Sequence, residues 1–458
     1  MRGMTRARVV TGEGPTLVTS RVRAPANARA RVCATVTAIS LGAMGACGDD
    51  QAFDLGIAYL TSATARRTAM EGSLAGVENR YARLRRERYA TGDAGDWERL
   101  PVWNPRVAAL RPPTLDATLR VGGTSPFLRE PLSLYVSAEA QAGAATALRD
   151  LGEAAFFRYP AQLLPSDAVL AAADLSRYGL WRDDTHGWGG LVQAEMSDGS
   201  ARLALTCATC HATSRQGILV PGLGNSTFDL GGWLADTVER VQATSVAGDL
   251  LVDTAPWRAW GAGRVDVATV DGHLPVKLPD LRPVRWLTHL HYEADVAQQS
   301  IASLAVRLET LLITSHGQGL RPPHEVALAL ATYVWSLADT LPPLAIEGAA
   351  EVGAAAFRAT CAGCHAGPEM TGPPVDAARA GTDTTAAFDP ERGTGRYRVP
   401  SLRGVAARGA LMHDGSISGL PSLLDPARLV GGTLVPGHPF GLDLDHVTRA
   451  ALLNYLER

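Results

Sequence analysis

The pentapeptide Cys207-Ala208-Thr209-Cys210-His211 recurs about 150 residues later as Cys361-Ala362-Gly363-Cys364-His365. Each copy puts two thiols three residues apart with an imidazole directly after the second. Such a group can hold a haem through two thioethers, one to each vinyl, with the histidine on one face of the iron. A zinc ribbon would need its second cysteine pair about 15–20 residues away, and the body of the chain has no other cysteine to complete a four-sulfur site. The expectation is therefore two covalently bound haem c groups. Cys207, Cys210, Cys361 and Cys364 are the attachment points, and His211 and His365 are the proximal iron ligands.

The two remaining cysteines, Cys33 and Cys47, lie in an N-terminal leader. Residues 1–46 carry seven arginines against one acid, Glu13, so the net charge of −3 divides into +6 here and −9 over residues 47–458. An apolar run from Val32 to Ala46 has the length of a signal-peptide core and is too short to span a bilayer. It ends Leu41-Gly42-Ala43-Met44-Gly45-Ala46 before Cys47, a pattern similar to a bacterial lipoprotein cleavage box. Cys47 is the expected lipidation point, with plain secretory cleavage after Ala46 as the alternative. The chain is expected in the periplasm, touching a membrane only through that anchor. The acidic body argues against nucleic acid and for a basic redox partner.

The preface, residues 51–130, reads as helical and irregular, with one helix from Glu71 to Arg88 whose arginines (Arg80, Arg83, Arg85, Arg86, Arg88) form a solvated face. Helical apolar spacing returns over Ala144 to Phe157, and a Trp- and Gly-rich stretch follows before the first motif. An internal repeat then stands out. Leu278-Pro279-Asp280-Leu281-Arg282-Pro283-Val284 matches Val399-Pro400-Ser401-Leu402-Arg403-Gly404-Val405. Each match is followed by a His-bearing tip (His289 and His291; Met412 and His413) and by an amphipathic closing helix, Val326 to Leu337 and Val447 to Leu456. An Ala-rich helix over Ala349 to Arg358 delivers Cys361, and in a cytochrome c fold it crosses the closing helix, so Phe357 should pack near Leu452 and Tyr455.

The sixth position on each iron separates a closed electron shuttle from an open site that admits peroxide or dioxygen. For the second haem the candidates are His438, on the rigid loop Pro436-Gly437-His438-Pro439-Phe440-Gly441, then Met412, with Met370 also considered and His413 as a supporting donor. For the first they are His289, His291 and Met196. Splitting peroxide needs a group to move a proton, which makes Glu293 beside His291 the catalytic candidate pair. Trp233, Trp257, Trp260 and Trp286 lie between the motifs as core residues or electron relays.

With these motifs in hand, residues 140–458 resemble the bacterial di-haem cytochrome c peroxidase superfamily. The marks are the two haem motifs, Gly393-Thr394-Gly395-Arg396-Tyr397-Arg398-Val399-Pro400 with its Pro-Leu-Arg continuation, and Met412-His413-Asp414-Gly415-Ser416. The loop Gly437-His438-Pro439-Phe440-Gly441 is most similar to the rubber-oxygenase branch, where the resemblance implies a distal histidine on the C-terminal haem and so supports His438. Two peroxidase marks are missing: Ala427 stands where that branch has a ligand methionine, and Thr227 where it has a displaceable histidine.

The fold expected is mainly α, with two tandem cytochrome c-type domains behind an N-terminal helical extension. The divisions are 1–46 signal peptide, 47–131 extension, 132–345 first domain and 346–458 second domain. The function expected is electron transfer through two haems, with peroxidase-type reduction at the N-terminal one, fed by a small redox protein or a quinone-linked donor. The alternatives are a carrier with two six-coordinate haems and an oxygenase acting on an apolar organic substrate.

Overall fold

The computed structural model describes residues 56–110, 138–164, 175–244, 252–266, 273–342, 350–430, 433–434 and 437–457. The chain divides into Met1–Gly48 and Asp49–Arg458, and everything below concerns the second unit. Cys47, the leader and all three expected domain boundaries lie outside the described residues.

Seven helices carry the argument: α1 (Ala63–Ser73), α2 (Arg80–Arg88), α3 (Ala138–Arg158), α4 (Ile301–Ser315), α5 (His324–Ser336), α6 (Ala350–Thr360) and α7 (His446–Leu456). Two crossings organise them, α3 on α5 and α6 on α7. They are built alike. A Cβ on Gly152 of α3 would sit 1.9 Å from the Ala329 carbonyl oxygen of α5, and one on Gly353 of α6 would sit 2.2 Å from that of Ala451 of α7. Only glycine lets the backbones approach this closely. Four residues on, Phe156 meets Tyr333 with ring centroids 5.3 Å apart, and Phe357 meets Tyr455 at 5.5 Å. Leu452 is fully buried in the same cluster, so the contact expected of Phe357 is present. Burying each phenylalanine contributes roughly 1.5–3 kcal/mol.

The mainly α expectation is corrected. Among the described residues 44% are helical and 15% lie in strands, spread over several small antiparallel sheets. The cause is local. In the second copy α6 runs almost directly into Cys361, whereas in the first copy residues 159–206 intervene between α3 and Cys207. They supply most of a four-stranded sheet from β1 (Val107–Ala109), β2 (Gln162–Leu163), β3 (Val192–Glu195) and β4 (Ala201–Leu205), in the order β1-β3-β4-β2. Leu191, Leu203 and Leu205 are buried with Trp233 and Trp260 on one side, and Val192, Ala194 and Ala204 with Trp103 on the other. Smaller hairpins add β5 (His289–Leu290) with β6 (Val296–Ala297), and β7 (Gly372–Asp376) with β8 (Arg396–Val399).

The preface is also corrected. The expected helix Glu71 to Arg88 is two helices, because Leu74 closes α1 and Asn79, accepting from the Ala82 amide at 2.9 Å, caps a new start. Its arginines are not all solvated: Arg85 is 4% exposed and stacks 3.2 Å over the Tyr81 ring. The preface is anchored at Glu309 of α4, fully buried, whose Oε2 accepts from the hydroxyls of Tyr59 and Tyr89. It reaches the second copy as well, since the amides of Arg80 and Tyr81 donate to the carbonyls of Pro390 and Glu391.

Candidate functional site

At the second motif one helical turn does the positioning. The amides of Cys364 and His365 both donate to the Cys361 carbonyl, at 3.1 and 3.0 Å, which gathers both thiols and the imidazole on one side. At the first motif the turn Cys207–His211 begins at Thr206, whose amide donates to Thr209 Oγ1 at 3.1 Å while its hydroxyl donates to the Gly190 carbonyl at 2.8 Å.

The internal repeat now has a physical reason. His211 Nδ1 lies 3.0 Å from the Pro279 carbonyl oxygen, and His365 Nδ1 lies 3.0 Å from that of Pro400. A carbonyl can only accept, so Nδ1 carries the hydrogen and Nε2 keeps the lone pair in the neutral ring. Burial pushes both imidazoles down to about 4, with His438 adding to the effect on His365. Both rings are thus neutral at pH 7 and present a metal-binding nitrogen of fixed tautomer.

The thiols point the same way. All four cysteines are unbridged. Burial pushes Cys207 and Cys210 up to about 12 and Cys361 up to about 11, the reverse of what an activated dithiol requires. Among the described residues no group of three or more His, Cys, Asp or Glu side chains is arranged to hold a metal ion by itself. Two thiols and one lone-pair imidazole nitrogen against an apolar wall fit a covalently held haem, with the cysteines as its points of attachment and the histidine turned to the iron.

A cavity of about 250 Å³ opens against the second motif. Cys361, Cys364 and His365 line it, with Leu420, Leu423, Leu424 and Phe440 on the apolar wall. His438, Met412 and His413 line it too. His438 is held on its loop with φ +67°, its amide donating to the Ala380 carbonyl at 3.1 Å, and its Nδ1 is buried without a hydrogen-bond partner. A Cβ on Gly437 would fall 1.8 Å from the Gly381 carbonyl oxygen, so the loop is seated as tightly as its Gly-His-Pro sequence suggests. Burial and then Arg428 push the His438 ring down to about 4, leaving it neutral. His413 is stacked on Tyr397, centroids 4.6 Å apart. Met370 is 2% exposed and is not among the lining residues, and its carbonyl reaches His365 Nδ1 at 3.2 Å, the proximal side.

The candidates named for the first haem are placed less simply. Both ring nitrogens of His291 are taken, Nδ1 by Asp295 and Nε2 by Arg307. His289 Nδ1 contacts Thr288 Oγ1 at 3.2 Å. Met196 caps the β3–β4 hairpin and packs on the cluster around Trp103. Glu293 is buried, pushed up to about 7 by desolvation and then by Asp295, and its carbonyl accepts from Thr394 of the second copy. Its neighbours include Arg392 and Arg398. Of the tryptophans, Trp233 and Trp260 are core, while Trp286 has the Arg403 guanidinium 5.1 Å above its ring.

Sequence reasoning missed Lys277, Arg398 and Arg408, which line the cavity. A signal was present: Lys277 and Arg398 occupy the same place, directly before the two matching segments, so each copy carries a cation there. Asp280 of the first segment holds Arg408, just beyond the second, at 3.1 Å and its own Arg282 at 2.9 Å.

No protein-family model, no curated protein and no solved structure matches this chain.

Proposed function

We propose that the protein is an exported di-haem c-type cytochrome that passes electrons between a small redox protein, or a quinone-linked donor, and an acceptor. The resemblance to the di-haem peroxidase superfamily enters as part of this proposal. The observation that carries it is the paired hydrogen bond from His211 to Pro279 and from His365 to Pro400. It gives each Cys-x-x-Cys-His turn an imidazole whose free nitrogen is set for iron.

A haem bound at each turn supplies a one-electron ferric–ferrous couple. Around it the chain has three tasks. Pro279 and Pro400 hold the proximal rings. The apolar wall at Leu420, Leu423 and Leu424 excludes water, and His438 faces the cavity with a neutral ring.

A second reading, reduction of peroxide at the first haem, draws on one observation: both ring nitrogens of His291 are engaged, by Asp295 and Arg307, so this tip histidine is not free to ligate an iron. Glu293, pushed up to about 7, has the proton affinity of a group that exchanges protons near neutrality.

The deciding experiment is expression with a haem-attachment machinery, followed by intact mass and pyridine haemochrome analysis. Two haems per chain are expected, and one each in Cys207→Ala/Cys210→Ala and in Cys361→Ala/Cys364→Ala. A haem-free product carrying zinc or a disulfide would end the proposal. Electron paramagnetic resonance and optical spectra of the oxidised and half-reduced protein then separate the two readings, since a high-spin haem in either state favours peroxide reduction and two low-spin haems in both states favour the pure carrier.

A further inference from the structure

The cavity against Cys361 and Cys364 is mostly apolar, and cations gather at one part of its lining. There Lys277, Arg398 and Arg408 stand with a single carboxylate, Asp280. That carboxylate is already engaged, its oxygens accepting from Arg282 and Arg408 at 2.9–3.1 Å. Arg398 lies with its guanidinium 4.9 Å from the centre of the Tyr292 ring, and its Nε is buried with no hydrogen-bond partner. Lys277 Nζ faces the same ring at 6.0 Å. The pole therefore has more cations than anions and an unused guanidinium donor. Burial, then Arg408 and Arg398, push Lys277 down to about 7, against the smaller opposing effect of Asp280, as expected where cations outnumber the one carboxylate.

A mostly apolar chamber with a cationic end fits an apolar molecule with carboxylates on one edge. Guanidinium is the group best matched to carboxylate geometry, and a buried carboxylate must be paired. We infer that Arg398 and Lys277 anchor the propionate carboxylates of the haem carried by Cys361 and Cys364. Lys277 comes from the segment before the first proline loop, so the second site is completed by the first copy. No bond forms or breaks in this step. The inference rests on the di-haem reading above, and the same chemistry would also suit a free carboxylate entering the cavity.

The test uses the haem-loaded full chain. Haem content is measured first: if the wild-type chain has no haem on Cys361 and Cys364, the di-haem reading fails and takes this inference with it. With both haems present, the midpoint potential of the second is followed by spectroelectrochemistry, its wave being the one lost in Cys361→Ala/Cys364→Ala. Arg398→Gln and Lys277→Gln should each make its reduction about tenfold less favourable, a fall of about 59 mV for a one-electron couple. An anchored carboxylate left unpaired favours the ferric state. Arg398→Lys should recover most of the loss, and Arg83→Gln, at an exposed position away from the cavity, should change nothing. Resonance Raman propionate bending bands should shift in Arg398→Gln and stay put in Arg83→Gln, which a merely structural role for Arg398 would not produce. If Arg398→Gln does not fold, Lys277→Gln decides. Unmoved potentials and bands with both haems retained would overturn the inference. So would a benzoate titration that shifts the wild-type Soret band but not that of Arg398→Gln, because the pole would then belong to a free carboxylate.

Discussion

Glu309 is the residue on which the preface depends. It is fully buried, takes the hydroxyls of Tyr59 and Tyr89, and has His324 Nδ1 3.0 Å from Oε1, off the line of a good hydrogen bond. Burial alone would push its carboxyl up, but His324 and the two tyrosines together hold it below the usual glutamate range. A depressed folded value means stability that is complete above the unfolded value of about 4.3 and is lost as pH falls through the folded one. Glu309→Gln should therefore cost about 1–3 kcal/mol at pH 7. Urea titrations of the two proteins should show that gap narrowing below about pH 4, and a pH-independent gap would mean that the charge has no part in it. His438 makes a second prediction at this scale. Its unpartnered Nδ1 and its place in the cavity lead us to expect a low-spin second haem that becomes high-spin in His438→Ala and stays low-spin in Met412→Ala. The opposite pattern in electron paramagnetic resonance would move the distal role to Met412. What was legible in the sequence at this scale was chemistry carried by consecutive residues: Cys-x-x-Cys-His, Gly-His-Pro. The engagement of His291 Nε2 and the burial of Arg85 were not legible, because Arg307 for one and Thr310 for the other, both on α4, are brought there by packing.

The two helix crossings show what can and cannot be read at the scale of elements. The proline-loop repeat was visible because the loop's backbone carbonyl has one task in both copies and Pro, Leu, Arg and Val recur around it at the same spacing. The crossing repeat, Gly152 and Phe156 against Gly353 and Phe357, was hidden, because 159–206 separate it from the motif in one copy and not in the other. The strands within that insertion were missed because β3, Val-Gln-Ala-Glu, and β4, Ala-Arg-Leu-Ala-Leu, are short and alanine-rich, so their period-2 signal is weak. The glycines give a direct test. Gly152→Ala and Gly353→Ala each drive a methyl into a carbonyl oxygen across the crossing and should cost about 1–3 kcal/mol. Gly363→Ala, between the cysteines of the second motif, meets nothing within 4 Å and should be neutral. Thermal melts of the three variants check this: equal losses would mean that close helix approach is not what glycine provides here, and a loss at Gly363 alone would place the constraint at the motif.

At the scale of the whole molecule the two copies are joined by their proline loops. Asp280 sits with a 3% exposed side chain between Arg282 of its own copy and Arg408 of the other. Around it the Lys277 amide donates to the His413 carbonyl at 2.8 Å, the Arg398 amide donates to the Tyr292 carbonyl at 2.9 Å, and Arg403 reaches the Pro342 carbonyl. The loops that fix His211 and His365 are thus also the joint. Burial pushes the Asp280 carboxyl up, yet Arg408 and Arg282 more than reverse this and hold it below the usual aspartate range. Its contribution is accordingly present above about pH 3.9, the unfolded value, and lost as pH falls through the folded one. Asp280→Asn leaves two buried guanidiniums without their shared anion and should cost about 3–5 kcal/mol at pH 7. If Asp280 couples the copies, calorimetry of this variant should resolve two transitions where the wild-type chain shows one, and Arg408→Gln added to Asp280→Asn should cost much less than the sum of the two. A single transition lowered uniformly, with strictly additive costs, would assign the joint to the backbone hydrogen bonds and leave Asp280 a local partner of Arg282.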